Sequence, residues 1–173
     1  MFKLISKTIA AVAIVSVALF GSANAKTLKI ETHFTASSPN GEVAAQFAKN
    51  VEMFSGGSLK VEMFYSSSVT GKSAEVFNSA QTGIIDCDMT GAGYQTGKNA
   101  AFQFAGDVMG GYDNPYQQYD FLKFPGAQEA VDALYNKYGM TLIGWWIPGH
   151  ESLISSKPIP DVASIKDFKF RSP

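Results

Sequence analysis

The sequence predicts an α/β fold with a mixed, mainly parallel sheet flanked by helices, and two observations carry that expectation. Segments in which apolar and polar residues alternate one by one, the period of a strand, are separated by segments with apolar residues three and four apart, the period of a helix. The connections between them are short and rich in Gly, Ser, Asn and Pro. The 173 residues, 46% apolar and 17% charged, have the composition of an ordinary globular chain with a real core.

Taken in order, Thr27 to Thr32 (TLKIET) alternates, with Leu28 and Ile30 on one face and Lys29 and Glu31 on the other, and reads as a strand. Thr35 to Gly41 (TASSPNG) is turn chemistry. Val43, Phe47, Val51 and Phe54, with Ala44 and Ala48, then recur at helical spacing and predict a helix from Glu42 to Phe54, stopped by Gly56-Gly57. Leu59 to Phe64 (LKVEMF) alternates again. This strand, helix, strand unit implies two parallel neighbours joined by a right-handed crossover. A second helix is expected from Lys72 to Gln81, with Val76, Phe77 and Ala80 inward, and a short strand from Ile84 to Thr90. The GAGYQTGKN stretch reads as loop or broken helix, and Ala100 to Tyr112 as an extended crossover lining a cleft. Helices follow at Pro115 to Phe121 and Gly126 to Tyr138. Thr141 to Trp146 and Glu151 to Ser155 read as extended runs, Val162 to Asp167 as a short helical piece, and the last residues as a strand ending at Arg171.

The amino terminus departs from the average. Lys3 and Lys7 precede an apolar run, Ile9 to Phe20, and Ala23-Asn24-Ala25 has the small-x-small form of a signal-peptidase site. About a dozen apolar residues are too few to span a bilayer, so residues 1–25 read as a removed secretory signal and the mature chain as starting near Lys26. No cysteine stands at the cleavage point, which disfavours a lipid anchor. Removing Lys3 and Lys7 from the 14 basic residues leaves 12 against 15 acidic, a net charge near −3. That excludes a nucleic-acid partner built on a basic surface. Cys87, the single cysteine, can form no internal disulfide; flanked by Asp86 and Asp88, it reads as a small buried hydrophobe rather than a reactive thiol.

Several motifs start and fail. Gly71-Lys72-Ser73 follows a strand and opens a helix as a phosphate loop would, but the spacing demands glycine where Ser66 stands. Asp86, Asp88 and Thr90 imitate the first half of a calcium loop whose twelfth position is Gly97, which carries no carboxylate. His33 and His150 are far apart and without cysteine or Glu-x-x-His partners, so a zinc site lacks ligands. There is no G-x-S-x-G elbow or S-x-x-K pair, and hence no identifiable nucleophile.

The carboxyl-terminal stretch is the most informative. The run Ser156-Lys157-Pro158-Ile159, a short helical piece, and then Asp167-Phe168-Lys169-Phe170-Arg171-Ser172-Pro173 resembles the segment NSKRPI…DLKGLKIRVP of the DctP-type solute receptors of TRAP transporters. Gly57-x-Leu59-x-Val61 with Phe64, and Gln81-x-Gly83-x-x-Asp86, are similar to that family's GGRLKVEVFP…LQLGALDM pattern, so the likeness covers most of the mature chain. On pattern alone Arg171 reads as an exposed arginine paired with Asp167 or Glu151. The resemblance implies instead that it clamps a substrate carboxylate, a role suited to the fixed fork of donors of a guanidinium.

What the resemblance implies is a periplasmic-binding-protein-like lobe, a second lobe hinged to it, and closure on a small organic acid that is then handed to TRAP membrane permease subunits. The expected division is 1–25 signal, 26–152 first lobe and 153–173 the start of the crossover into the second lobe. Family members are about twice as long, so the chain is expected to be partial and to bind solute weakly alone. Glu151 stands where many relatives carry a second arginine, which disfavours a plain C4-dicarboxylate. The Gly97-Lys98-Asn99 and Ala100 to Phe104 stretch resembles the branch that takes 2-oxo acids; there an amide touches substrate at the position of His150. Trp146 is expected as an apolar wall, Trp145 as core, and Phe34 and Tyr94, at the carboxyl ends of their strands, as further ligand contacts. No cofactor is expected, a metal bridging the bound solute being left open. The competing reading is a secreted α/β enzyme or an inert interaction fragment on the same sheet.

Overall fold

The computed structural model describes residues 25–106, 108, 111–147 and 154–169. Its sheet has three parallel strands in the order β2-β1-β3: β1 is Lys26–Thr32, β2 Leu59–Phe64 and β3 Cys87–Met89. Lys26 pairs with Leu59 and Glu31 with Phe64 on one side of β1; Ile30 pairs with Cys87 and Glu31 with Asp88 on the other. The α/β expectation holds, and β1 is the central strand.

The alternation in β1 was expected to leave Glu31 on a polar face, and here the structure corrects the sequence. Ile30, Glu31 and Thr32 are all buried. The middle strand of a parallel sheet is covered on both faces by the helices of its crossovers, so alternation no longer separates inside from outside.

Helix α1, Pro39–Phe54, begins three residues earlier than its apolar spacing suggests. Ser38 is the cap: its hydroxyl accepts from the Gly41 N–H at 3.1 Å and donates to the Thr35 carbonyl at 2.7 Å, while Pro39 pre-sets the first turn. The fold then needs glycine at 41, because a Cβ there would meet the Thr35 carbonyl oxygen at 2.0 Å and that of Ala36 at 2.9 Å. Both are backbone atoms and cannot swing aside. Gly41→Ala is therefore expected to destabilise by about 1–3 kcal/mol, the usual cost of overpacking; urea unfolding that matches wild type would refute this account of the turn.

After Gly56 and Gly57, both at positive φ, β2 runs back beside β1. The Val61 N–H of this edge strand donates to Glu52 Oε1 of α1 at 2.9 Å, and Lys60 pairs with the same carboxylate at 3.6 Å. A 3₁₀ turn, Ser73–Glu75, leads into α2, Val76–Gln81, which buries Val76 and Phe77. The strand expected from Ile84 to Thr90 is shorter. Asp86 explains it: its Oδ2 accepts from the Lys29 N–H at 2.8 Å and its own N–H donates to the Lys29 carbonyl at 2.8 Å, so the ladder starts only at Cys87.

Ala100–Phe104 is a 3₁₀ turn capped by Asn99, not the extended crossover expected for Ala100 to Tyr112. The three-residue period buries Phe102 and turns Phe104 outward, 66% exposed. Phe102 enters a core with Phe77, Ala92, Ala105 and Leu134, against which Val131, Tyr135, Tyr138 and Met140 pack. Two helices close this side: α3, Pro115–Lys123, capped by Asn114, and α4, Ala127–Asn136. Thr141 to Trp146 is not a strand. A strand requires a hydrogen-bonded neighbour, and the order β2-β1-β3 gives this segment none. Ile154 and Ser155, from the second extended run, are likewise unpaired by any strand; Ile154 is 91% exposed. Val162–Ile165 forms a 3₁₀ turn capped by Asp161.

Candidate functional site

In parallel sheets the loops leaving the carboxyl ends of the strands share one rim, and ligands bind there. The loop after β1 carries His33 and Phe34, and a 3₁₀ turn after β3, Ala92–Gln95, carries Tyr94. The segment after α4 brings in Trp146. These four side chains form a continuous run of rings: Tyr94 meets His33 edge-on with centroids 5.3 Å apart, His33 lies 3.9 Å from Phe34, and Phe34 lies 5.3 Å from Trp146. Three residues expected from sequence as ligand contacts thus come together, although 52 positions separate Tyr94 from Trp146. His150, Glu151 and Arg171 lie outside the described residues.

The loop carrying Phe34 is held by backbone. Ser66 N–H donates to the Phe34 carbonyl and Ser67 N–H to the Thr32 carbonyl, each at 3.0 Å, while Phe34 N–H donates to Thr32 Oγ1 at 3.3 Å. Ser66 and Ser67 adopt positive φ, 57° and 51°, to make these bonds. Non-glycine residues in that region cost about 1–3 kcal/mol and persist where neighbours over-determine them. The rigidity of the Phe34 loop is thus built into the loop after β2.

His33 is the residue that sequence reasoning missed, having been weighed only as a metal ligand. Its place beside Phe34 at the end of β1 was the available signal. Burial holds its imidazole below the usual range, so it is neutral at neutral pH, and Nδ1 is buried without a partner.

Trp146 also belongs to a groove of about 370 Å³ lined by Pro115, Tyr116, Tyr119, Trp145, Trp146 and Ile147. Trp145 is half-buried rather than core, and its indole Nε1–H has no acceptor. Lys123 Nζ lies 5.5 Å from the Tyr119 ring centroid, placing one ammonium beside the groove wall.

Behind the rim lies a pair of carboxyl groups. Glu31 and Asp88 are register partners in neighbouring strands. Glu31 Oε1 accepts from the N–H groups of Val69 and Thr70 at 2.7 and 3.3 Å, whereas Oε2 is buried with no partner. Asp88 Oδ1 accepts from the Thr90 hydroxyl at 2.6 Å. Burial pushes the Asp88 carboxyl from 3.8 up to about 6, and the Glu31 charge adds to the rise. Cys87, flanked in sequence by Asp86 and Asp88, is half-buried, its thiol raised by burial and then by those two carboxylates, in keeping with an unreactive side chain. Among the described residues no group of His, Cys, Asp and Glu is placed to hold a metal ion.

The family model for bacterial extracellular solute-binding protein, family 7 (DctP), matches residues 30–173. The chain belongs to that family. Its members are binding proteins, which sets aside the secreted-enzyme reading. Among solved structures, a TRAP periplasmic solute-binding protein from Rhodobacter sphaeroides in an apo open form is 27% identical, with a TM-score of 0.63 over 68% of this chain and 37% of that one. A TRAP solute-binding protein from Bordetella bronchiseptica, with calcium and picolinate at its active site, is 21% identical with a TM-score of 0.60 over 66% and 34%. One from Pseudoalteromonas atlantica with sodium and pyruvate is 20% identical with a TM-score of 0.61 over 67% and 35%. The chain spans about a third of the length of these proteins. No described helix of this DctP-family chain is long and apolar enough to cross a membrane.

Proposed function

We propose that this chain is the first lobe, residues 26–152, and the opening of the crossover, 153–173, of a periplasmic TRAP solute receptor exported on a cleaved leader, 1–25. The receptor captures a small organic acid and delivers it to a TRAP membrane permease. Arg171 fixes the carboxylate; Phe34, Tyr94 and Trp146 form the wall, with His150 and Glu151 contacting the rest of the solute. Closure of the two lobes desolvates the ion pair, and a ligand drives closure only by its greater affinity for the closed state.

One observation carries this reading: the family match runs unbroken from β1 to the Arg171 segment, and the rim of β1 carries the ring wall that such a pocket needs. Relatives of the same fold have been found with pyruvate, picolinate and pyroglutamic acid, each bearing a carboxylate.

The test is a thermal-shift screen of the full-length gene product against 2-oxo acids, sugar acids, amino acids and dicarboxylates. An acid present at a hundred times its Kd is expected to stabilise the protein by about 2.7 kcal/mol. Arg171→Ala should remove that gain, and Arg171→Lys most of it, because a lysine cannot reproduce a bidentate contact. Turnover of any ligand, or an undiminished shift in Arg171→Ala, would overturn the proposal.

A further inference from the structure

We infer that Glu31 and Asp88 are positioning residues of the solute wall, sharing one proton at the foot of the rim so that affinity for the acid depends on that proton being in place. The inference rests on the receptor reading and adds the control of its site. Each residue stands one position before the end of its strand, and the two are paired in register, hence on one face of the sheet. Glu31 has no exposed surface: Oε1 takes two N–H groups, whereas Oε2 is buried without a donor. Leaving it so costs the desolvation of that oxygen. A proton on Asp88 removes one of two repelling charges and supplies the missing donor, an O–H that Glu31 Oε2 can accept. The Asp88 carboxyl is shifted in the sense this requires, upward by burial and, against the lowering bonds from Thr90, by Glu31. The described titratable groups around the pair are Tyr135 on α4, raised to about 12, the Cys87 thiol, also raised, and His33 on the rim, held low by burial. Helix α2, packed on β3, carries none, and Lys29, Glu62 and Asp86, two positions back on the same face, are exposed.

The pair is tied to two members of the wall. Glu31 Oε1 fastens the Val69 and Thr70 N–H groups at 2.7 and 3.3 Å, and the same loop holds the Phe34 and Thr32 carbonyls through Ser66 and Ser67, each at 3.0 Å. Asp88 Oδ1 accepts from the Thr90 hydroxyl at 2.6 Å; the next residue, Gly91, accepts the Tyr94 N–H at 3.2 Å and opens the turn that presents Tyr94. With the proton gone, two like charges are relieved only by admitting water between the strand ends, and the loops yield before the ladder does. Only molecules with an ordered wall bind solute, so the apparent affinity falls with their fraction. The proton is held below about pH 6 and lost above it, which sets the sign: binding is strongest on the acid side.

The experiment is calorimetric titration of the full-length gene product with pyruvate and pyroglutamate, whose carboxylates stay ionised throughout, at about pH 5.5, 7 and 8.5. Amide hydrogen exchange of residues 66–71 and 90–95, corrected for the intrinsic rate, is followed at the same pH values. Wild type is expected to lose about tenfold in affinity across the range, with faster exchange in both segments. Asp88→Asn, whose amide can donate to Glu31 Oε2 at every pH, should keep the acid-side affinity throughout. Glu31→Gln should do likewise, and serves if the first variant proves misfolded by circular dichroism. A slope that persists in Asp88→Asn would put the titrating group elsewhere and overturn the inference, as would flat wild-type affinity; the receptor reading survives either result. If neither acid binds, the receptor reading loses support and exchange decides the rest. Rates that rise in wild type but not in Asp88→Asn support the shared proton, and rates that do not change with pH overturn it.

Discussion

Phe77→Ala is expected to destabilise the protein by about 3–5 kcal/mol, the range for removing a fully buried phenyl ring. Phe77 has no exposed surface and touches three other rings: Phe102 at 5.7 Å, Tyr135 at 6.0 Å and Tyr138 at 5.9 Å, with Lys98 Nζ 5.6 Å from its centroid. Phe102 itself contacts Tyr135 and Tyr138, so the cluster joins α2, the 3₁₀ turn at Ala100–Phe104 and α4 through side chains alone. Two hydrogen bonds add to it: Gln81 Nε2 donates to the Tyr138 carbonyl at 2.7 Å and the Tyr138 hydroxyl to the Lys98 carbonyl at 3.4 Å. The cavity left by the ring cannot collapse without separating them, and a domain of ordinary stability has only about 5–15 kcal/mol to lose. Urea unfolding followed by near-ultraviolet circular dichroism measures it. A loss below about 1 kcal/mol would mean that the cluster is not the core of this lobe.

Asp88→Asn should stabilise the protein, and only above a particular pH. The carboxyl is pushed from 3.8 to about 6, first by burial and secondarily by Glu31, against the lowering effect of its bonds from Thr90. On the helical side it faces Tyr135, whose hydroxyl is raised to about 12 by burial and by the Asp88 charge. The folded state therefore holds this proton more firmly than the unfolded chain. Its contribution to stability is complete below about pH 4 and is lost as pH rises through about 6, a difference of about 3 kcal/mol. Asparagine cannot ionise, so the variant should exceed wild type by about 2–3 kcal/mol at pH 8 and match it near pH 4. Urea midpoints at pH 4, 6 and 8 decide the matter; a variant weaker than wild type at pH 8 would show that Asp88 is held as a favourable carboxylate.

Alternation and helical spacing made β1, α1 and β2 legible, because each has one dominant period and clear punctuation. What could not be read came from partners remote in sequence. The Ala100 to Tyr112 stretch, apolar with three glycines, reads as extended, yet Phe102 is drawn into a ring cluster with Phe77 and α4 and the backbone of Ala100–Phe104 coils to deliver it. Thr141 to Trp146 has strand composition without a neighbouring strand. Glu31 looked solvent-facing because the sequence does not say that β1 is the middle strand. At the site, the rule that ligands collect at strand carboxyl ends points to Phe34 and Tyr94, and strand alternation to Trp146; the structure brings these rings together with His33, which metal-ligand spacing alone does not single out. Arg171, His150 and Glu151 rest on family resemblance.

Glu52 leaves the sheet with two unlike margins. Where its carboxylate occupies an N–H of β2, an approaching chain finds one of its docking points already taken and an ion pair with Lys60 in the way. Along β3 no such guard is seen among the described residues. A strand added to this sheet, from the same polypeptide or another, therefore meets fewer obstacles at the Cys87–Met89 flank than beside β2.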